Sequence, residues 1–199
     1  MQEWLSARAV EIAAVLFSLA YLYFSIRQQI LLWPMGIISA VLYMVVFYQS
    51  KFYADMGLNG YYLVVSVYGW IHWSKAGKEG GRSLPVTRIS GSTALVLGPL
   101  TLIGFLGIGW GLDRFTDSPI PYWDALTTAV SFAATWMLAR KILEHWILWV
   151  LVDAISIGLY LYRGLYPTLV LFVVYTTMAI IGYLEWKKTI RKEIENGAS

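Results

Sequence analysis

The chain has 199 residues, of which 58% are hydrophobic and 14% charged, with a mean hydropathy of +0.60 and a net charge of +3. So little polar surface cannot clothe a soluble globule, so the chain is expected to be an integral membrane protein with the lipid bilayer as its surroundings and no nucleic-acid partner. Cysteine is absent, which removes disulfide frameworks and cysteine-based metal sites.

A spanning helix needs about 20 mostly apolar residues, because lipid offers no partner for open backbone groups. Seven stretches qualify, near 9–27, 30–50, 53–73, 91–111, 122–140, 144–162 and 165–186. The first ends in Arg27-Gln28-Gln29 with no small-residue cleavage site, so no cleavable signal peptide is expected. Glu11 near its outer end reads as a solvated residue. The second opens with Pro34 and Gly36, which suit bending or close helix packing.

On the third span, Asn59, Tyr62, Ser66 and Trp73 recur at helical spacing along one face, with Trp70 beside them. A polar, aromatic face inside a membrane helix is not expected to look at lipid. Asp55, near the outer end, reads as a capping or solvated residue. The basic, glycine-containing segment 74–90 reads as the main cytoplasmic loop, and the fourth span as a linker helix. An acidic, proline-containing stretch, 113–121, leads into the fifth span.

The sixth span aligns Trp146, Trp149 and Asp153 in one stripe, continued by Tyr160. At about 1.5 Å per residue, Asp153 sits roughly 10 Å deeper than Trp146, where an ionisable group is costly unless paired or wetted. That makes Asp153 a functional candidate, with a structural hydrogen-bond role as the competing explanation. The seventh span carries Tyr175, Gly182 and Trp186. With Tyr62, Trp70 and Trp73, Tyr175 and Trp186 are candidates for gates or walls of a pathway. Trp70, Trp73 and Trp186 also sit where interfacial anchors sit. Residues 191–199 read as a frayed polar cytoplasmic tail beyond a single transmembrane domain over 1–190. His72 and His145 have no second ligand at metal spacing, and neither a metal nor a cofactor is expected.

Residues 18–73 can be laid on 131–186 at a constant offset of 113 without a gap, anchored by Ser18/Ser131, Arg27/Arg140, Trp33/Trp146, Tyr62/Tyr175, Gly69/Gly182 and Trp73/Trp186. Internal repeats in a membrane chain suggest a transporter with its substrate site between the halves. Eleven of the 15 Lys and Arg residues fall on one side of the spans, which puts the C-terminus in the cytoplasm and the N-terminus outside. The expected architecture is all-α, with seven transmembrane helices in a three-plus-one-plus-three order: parallel repeats at about 9–73 and 122–186 joined by the linker helix at about 91–111. No phosphate loop, serine elbow or zinc motif is present, so the chain is not expected to be an enzyme. The competing classes are a membrane-embedded enzyme using Asp153 and Asp55, and a sealed seven-helix protein with no pathway.

Leu32-Trp33-Pro34-Met35-Gly36-Ile37, the stretch from Phe52-Tyr53-Ala54-Asp55 to Tyr68-Gly69-Trp70-Ile71-His72-Trp73, Asp124-Ala125-Leu126-Thr127-Thr128, and the stretch from Glu144-His145-Trp146-Ile147-Leu148-Trp149 to Asp153-Ala154-Ile155-Ser156-Ile157 resemble the nicotinamide riboside transporters of the PnuC type. The resemblance covers about 9–187. It implies a homotrimer in a bacterial inner membrane that takes up a vitamin-like nucleoside by facilitated diffusion, with a cytoplasmic kinase trapping the substrate. It also implies Trp146 and Trp149 flanking the ligand ring after Glu144, in a site with Asn59, Tyr62 and Asp153. Asn59-Gly60 stands where the riboside transporters usually have Gln-Leu, and His145 where a small or amide residue is commoner. Relatives resembling the family carry thiamine or riboflavin. Nicotinamide riboside and thiamine are both aromatic cations, so the aromatic stripe and Asp153 suit either.

Overall fold

In the computed structural model the described residues are 2–49, 53–80, 84–162 and 166–197. Lys51, Arg82 and Arg163, and the side chains of Arg8, Glu11, Asp55 and Lys78, lie outside what is described. Seven α-helices follow one another: α1 Gln2–Ile26, α2 Leu32–Gln49, α3 Tyr53–Gly80, α4 Gly91–Phe115, α5 Pro121–Ala139, α6 His145–Tyr162 and α7 Tyr166–Gly197. The chain forms two compact units, Met1–Leu84 and Pro85–Ser199. Within the first, α1 packs on α2 and α2 on α3; within the second, α4 packs on α5, α5 on α6 and α6 on α7. Among the described residues, four stretches are long and apolar enough to cross a membrane: Leu32–Gln49, Gly91–Phe115, His145–Tyr162 and Leu169–Glu193.

The turn after α1 and the turn after α5 share one hydrogen-bond pattern. Gln28 N–H donates to the Ser25 carbonyl and Gln29 N–H to the Phe24 carbonyl, at 3.1 and 2.9 Å. Displaced by 113 positions, Lys141 N–H donates to Leu138 and Ile142 N–H to Met137, each at 2.9 Å. These paired bonds satisfy carbonyls that the helix end would otherwise leave open, and they need a left-handed residue just past the helix. Gln28 and Lys141 supply it at φ 55° and 57°. Glycine is the usual occupant, so each side chain there works against local preference.

The two helix seams that follow are also built alike. Trp33 on α2 is fully buried over Gly69 of α3, and meets Trp73 edge to face at 5.3 Å. Trp146 on α6 is buried over Gly182 of α7, and meets Trp186 edge to face at 5.9 Å. A methyl group at Gly182 would stand 2.5 Å from the Trp146 ring, and one at Gly69 would overlap the Trp33 ring. Between helices in lipid, tight van der Waals contact of this kind replaces the hydrophobic drive that packs soluble cores. Both glycines serve close helix packing.

In the second unit α5 is lined by small residues. Ala125, Ala129, Ala133 and Ala134 are buried, and Gly104 and Gly109 of α4 approach Ala129 and Ala125 at 3.9 and 3.5 Å from where a Cβ would sit. The Thr135 hydroxyl donates back to the Ser131 carbonyl at 2.8 Å, so its polarity is spent inside the helix. The motif 124–128 lies in the first turns of α5. There Asp124 accepts the Ser118 hydroxyl at 2.7 Å.

Two sequence expectations are corrected. The polar tail from Arg191 is helical to Gly197, supported on its surface by Lys188–Glu185 and Arg191–Glu195 pairs at 2.7 and 2.8 Å. Trp73 and Trp186 do not stand at helix ends, because α3 and α7 continue past them into charged sequence that still satisfies its own backbone.

Candidate functional site

In the first unit, α3 turns one face inward. Asn59 and Ser66 are buried, Tyr62 is half-buried between them in sequence, and Gly69 and Trp73 continue the stripe toward the Trp33 seam. Trp70 is off this face and exposed. Gly36 of α2 is the narrow point: a Cβ there would lie 2.9 Å from the Tyr21 ring of α1 and 3.1 Å from the Ser66 hydroxyl of α3. Tyr62 is near enough to Tyr21 to interact with it electrostatically. Side chains from all three helices therefore converge beside Gly36.

In the second unit, the inward face of α6 holds Trp146, Val152, Asp153 and Ser156, all buried, with Trp149 half-buried among them. Ile147, Leu151 and Leu161 occupy the outward face. Asp153 is 5% exposed, and among the described residues no cation or hydrogen-bond donor stands beside its carboxylate. A buried carboxylate in that condition is costly, and an organic cation beside it would relieve the cost. Trp149 lies one helical turn away on the same face.

Trp146 and Trp149 are set apart by their surroundings. The indole of Trp146 is enclosed by His145 at 4.5 Å, Trp186 at 5.9 Å and the bare backbone of Gly182, which gives it a packing role. Trp186 and Trp73 have the same role in their seams, and Tyr175 is half-buried against Phe172 at 5.8 Å. His145 is wholly buried, and its Nδ1 lies 2.7 Å from the Ile142 carbonyl. A carbonyl only accepts, so Nδ1 carries the proton and Nε2 is left as an acceptor, buried without a hydrogen-bond partner among the described residues.

The start of α6 is held by a feature that the sequence did not announce. Segment 85–90 crosses the α5–α6 turn in a short parallel pairing: Thr87 N–H donates to the Lys141 carbonyl at 3.0 Å and Leu143 N–H to the Thr87 carbonyl at 2.8 Å. Ile89 N–H then donates to Glu144 Oε2 at 2.8 Å. Lys141 is 2% exposed in this turn, and burial pushes its ammonium down to about 8, with Glu193 of α7 acting in the opposite sense. The signal available in the sequence was the 113-residue offset, which sets Glu144 and His145 against Leu31 and Leu32 and so marks both as departures from a shared plan.

Residues 8–188 match the family described as nicotinamide mononucleotide transporter, and the chain belongs to that family. The nicotinamide riboside transporter PnuC of Escherichia coli (strain K12) is 23% identical over 181 residues, covering 79% of this chain and 76% of that protein. The riboflavin/roseoflavin transporter RibM of Streptomyces davaonensis is 22% identical over 171 residues, covering 84% and 79%. A crystal structure of the vitamin B3 transporter PnuC superposes with a TM-score of 0.71 at 25% identity, over 92% of this chain and 82% of that one. The seven-helix fold is the fold of that transporter.

Proposed function

We propose that this protein carries nicotinamide riboside across a bacterial inner membrane by facilitated diffusion with alternating access. The observation that carries the reading is the α6 stripe: a buried carboxylate at Asp153, with no charged partner among the described residues, one turn from the half-buried indole of Trp149. An aromatic cation matches both, its ring against the indole and its charge beside the carboxylate. The family and the names of its relatives support a vitamin or nucleoside substrate.

In this reading Trp149 and Asp153 contact the substrate from α6 with Trp146 supporting them, and Asn59 and Tyr62 contribute from α3. Trp73, Tyr175 and Trp186 set the walls of their own seams. The order is α1–α3, linker α4, α5–α7, with the C-terminus in the cytoplasm on the basic side. Homotrimeric assembly and a cytoplasmic kinase that phosphorylates the arriving substrate complete the proposal. Thiamine is the second candidate, favoured by the same pairing of ring and carboxylate and by the short Asn59-Gly60 pair.

Calorimetric titration of the purified protein with nicotinamide riboside, thiamine and riboflavin tests the substrate. Trp149→Ala is expected to weaken the preferred ligand by about 1–3 kcal/mol. Asp153→Asn is expected to weaken a cationic ligand more than a neutral analogue. Unchanged affinity in folded Trp149→Ala removes that residue from the site, and equal losses for cation and neutral analogue return Asp153 to a structural role. Uptake into proteoliposomes without any ion gradient tests the mechanism; concentration driven by sodium or protons would replace diffusion with coupled transport.

A further inference from the structure

We infer that Glu144 is a positioning residue for the substrate-facing stripe of α6, acting through its bond to the backbone of segment 85–90; the inference rests on the function proposed above. Glu144 stands at the opening of α6. Its own carbonyl accepts the first helical N–H groups, from Ile147 at 3.0 Å and Leu148 at 3.3 Å. Its carboxylate takes the Ile89 N–H at 2.8 Å. One residue thus starts the helix and tethers that start to a different segment.

The tether is part of a rigid assembly. Ser90, the next residue after Ile89, caps α4 by accepting Thr93 N–H at 3.2 Å. Thr87 is bonded on both sides to the α5–α6 turn. Val86, Ile142 and Leu143 are buried around these bonds. The beginnings of α4 and α6 and the end of α5 are therefore pinned to one another through segment 85–90. Trp149 and Asp153 follow within three turns of Glu144 on a helix with no internal break, so a shift or rotation at its first turn is carried to both. A charge-assisted bond to a backbone N–H is stronger and more directional than a neutral one, and a carboxylate at a helix start also matches the helix dipole. Leu31, at the corresponding position before α2, has no such group and is 47% exposed.

Glu144→Ala, Glu144→Gln and Ile89→Pro, each purified in full-length form, test this by two readouts: hydrogen exchange at the Ile89 amide, and calorimetric affinity for nicotinamide riboside, thiamine and riboflavin. Glu144→Ala is expected to speed exchange at Ile89 and to weaken the preferred ligand by about tenfold, the order of magnitude of one charge-assisted bond. Glu144→Gln keeps an acceptor and is expected to restore slow exchange and affinity. Ile89→Pro removes the donor without touching Glu144 and is expected to copy the affinity loss. The inference is overturned if Glu144→Ala frees Ile89 while affinity stays within about twofold of wild type, or if Ile89 remains protected in it. It is equally overturned if Glu144→Gln keeps Ile89 protected yet loses affinity, since Glu144 would then meet the ligand by its charge. Should Glu144→Ala fail to fold, the Gln variant decides alone by the same criterion. Wild-type protein that binds none of the three ligands defeats the proposed function, and the inference with it, before any substitution is compared.

Discussion

The seam between α2 and α3 and the seam between α6 and α7 use the same tryptophan, glycine and second tryptophan, yet the polar groups around them are distributed in opposite ways. In the first unit the buried polar residues are Ser25 on α1, Ser39 on α2 and Asn59 and Ser66 on α3. Their counterparts 113 positions on are Leu138, Val152, Phe172 and Ala179, all apolar. In the second unit the buried polar groups include Ser131 and Thr135 on α5, Lys141 in the turn, and His145, Asp153 and Ser156 on α6; His145 and Asp153, with Glu144 just before the helix, stand where the first unit has Leu32, Ala40 and Leu31. The packing skeleton is common, and chemistry has been placed on different helices of each copy. Even the defects are shared: the indole N–H groups of Trp33 and Trp146 are both buried without a partner among the described residues.

The comparison extends to volume. Tyr21 on α1 fills the space beside Gly36 on α2, while the corresponding pair in the second unit is Ala134 on α5 and Trp149 on α6. The bulky ring has moved from the flanking helix to the middle one. That exchange leaves a half-buried indole on α6 and a bare backbone at Gly36 of α2.

The largest expected effect is the loss of a seam tryptophan. Trp33→Ala and Trp146→Ala should each lower unfolding free energy by about 3 kcal/mol or more, measured by thermal or denaturant unfolding in detergent. Matching losses would support a common packing role; a small loss at Trp146 would break the comparison and return that residue to the substrate. Next, Gly69→Ala and Gly182→Ala should each cost about 1–3 kcal/mol, because a rigid buried indole has to move to admit the methyl group. Tolerance at one glycine alone would show that the two seams differ in slack.

A third expectation separates the turns by pH. Burial holds the Lys141 ammonium down at about 8 in the folded protein, against its ordinary value near 10.5. Below about 8 the lysine is protonated in both folded and unfolded chains, and the full cost of burying its charge is present. As pH rises from about 8 toward 10.5 the folded chain binds fewer protons than the unfolded one, so stability climbs, by up to roughly 3 kcal/mol. Lys141→Met should remove that climb, whereas Gln28→Met in the equivalent turn should leave it in place; unfolding midpoints across this pH range read the difference. The smallest effect is conformational. Gln28→Gly relieves a left-handed side chain and should stabilise by about 0.5–1 kcal/mol. A loss at that position would mean that the Gln28 side chain contributes more than its backbone strain costs.

Much of this architecture was visible in the sequence, and the failures are local. Hydropathy located all seven helices to within a few residues at most ends, because an apolar run of spanning length has few alternatives. It began α1 seven residues late and cut α3 and α7 short, since the apolar signal stops where charges begin while backbone hydrogen bonding does not; α7 continues on surface pairs such as Arg191–Glu195. The burial of Asp153 was legible from its place inside an apolar run. Trp146 and Trp149 shared a stripe by spacing, and it is the glycine opposite Trp146, on another helix, that separates an enclosed ring from a half-buried one. The clasp of 85–90 was not legible, because it is made of backbone groups and one carboxylate separated by 55 positions, with no local pattern to betray it.

The continuation of α7 to Gly197 has a practical side. Beyond Trp186, which is locked in its seam, the helix runs on for roughly 16 Å at 1.5 Å per residue. A spin label or fluorophore placed near its end rides on a stiff pointer whose base is fixed by an indole against a glycine. Small changes in tilt at that base arrive at the tip magnified, so the C-terminal turns offer a natural gauge for following this helix while substrate is added.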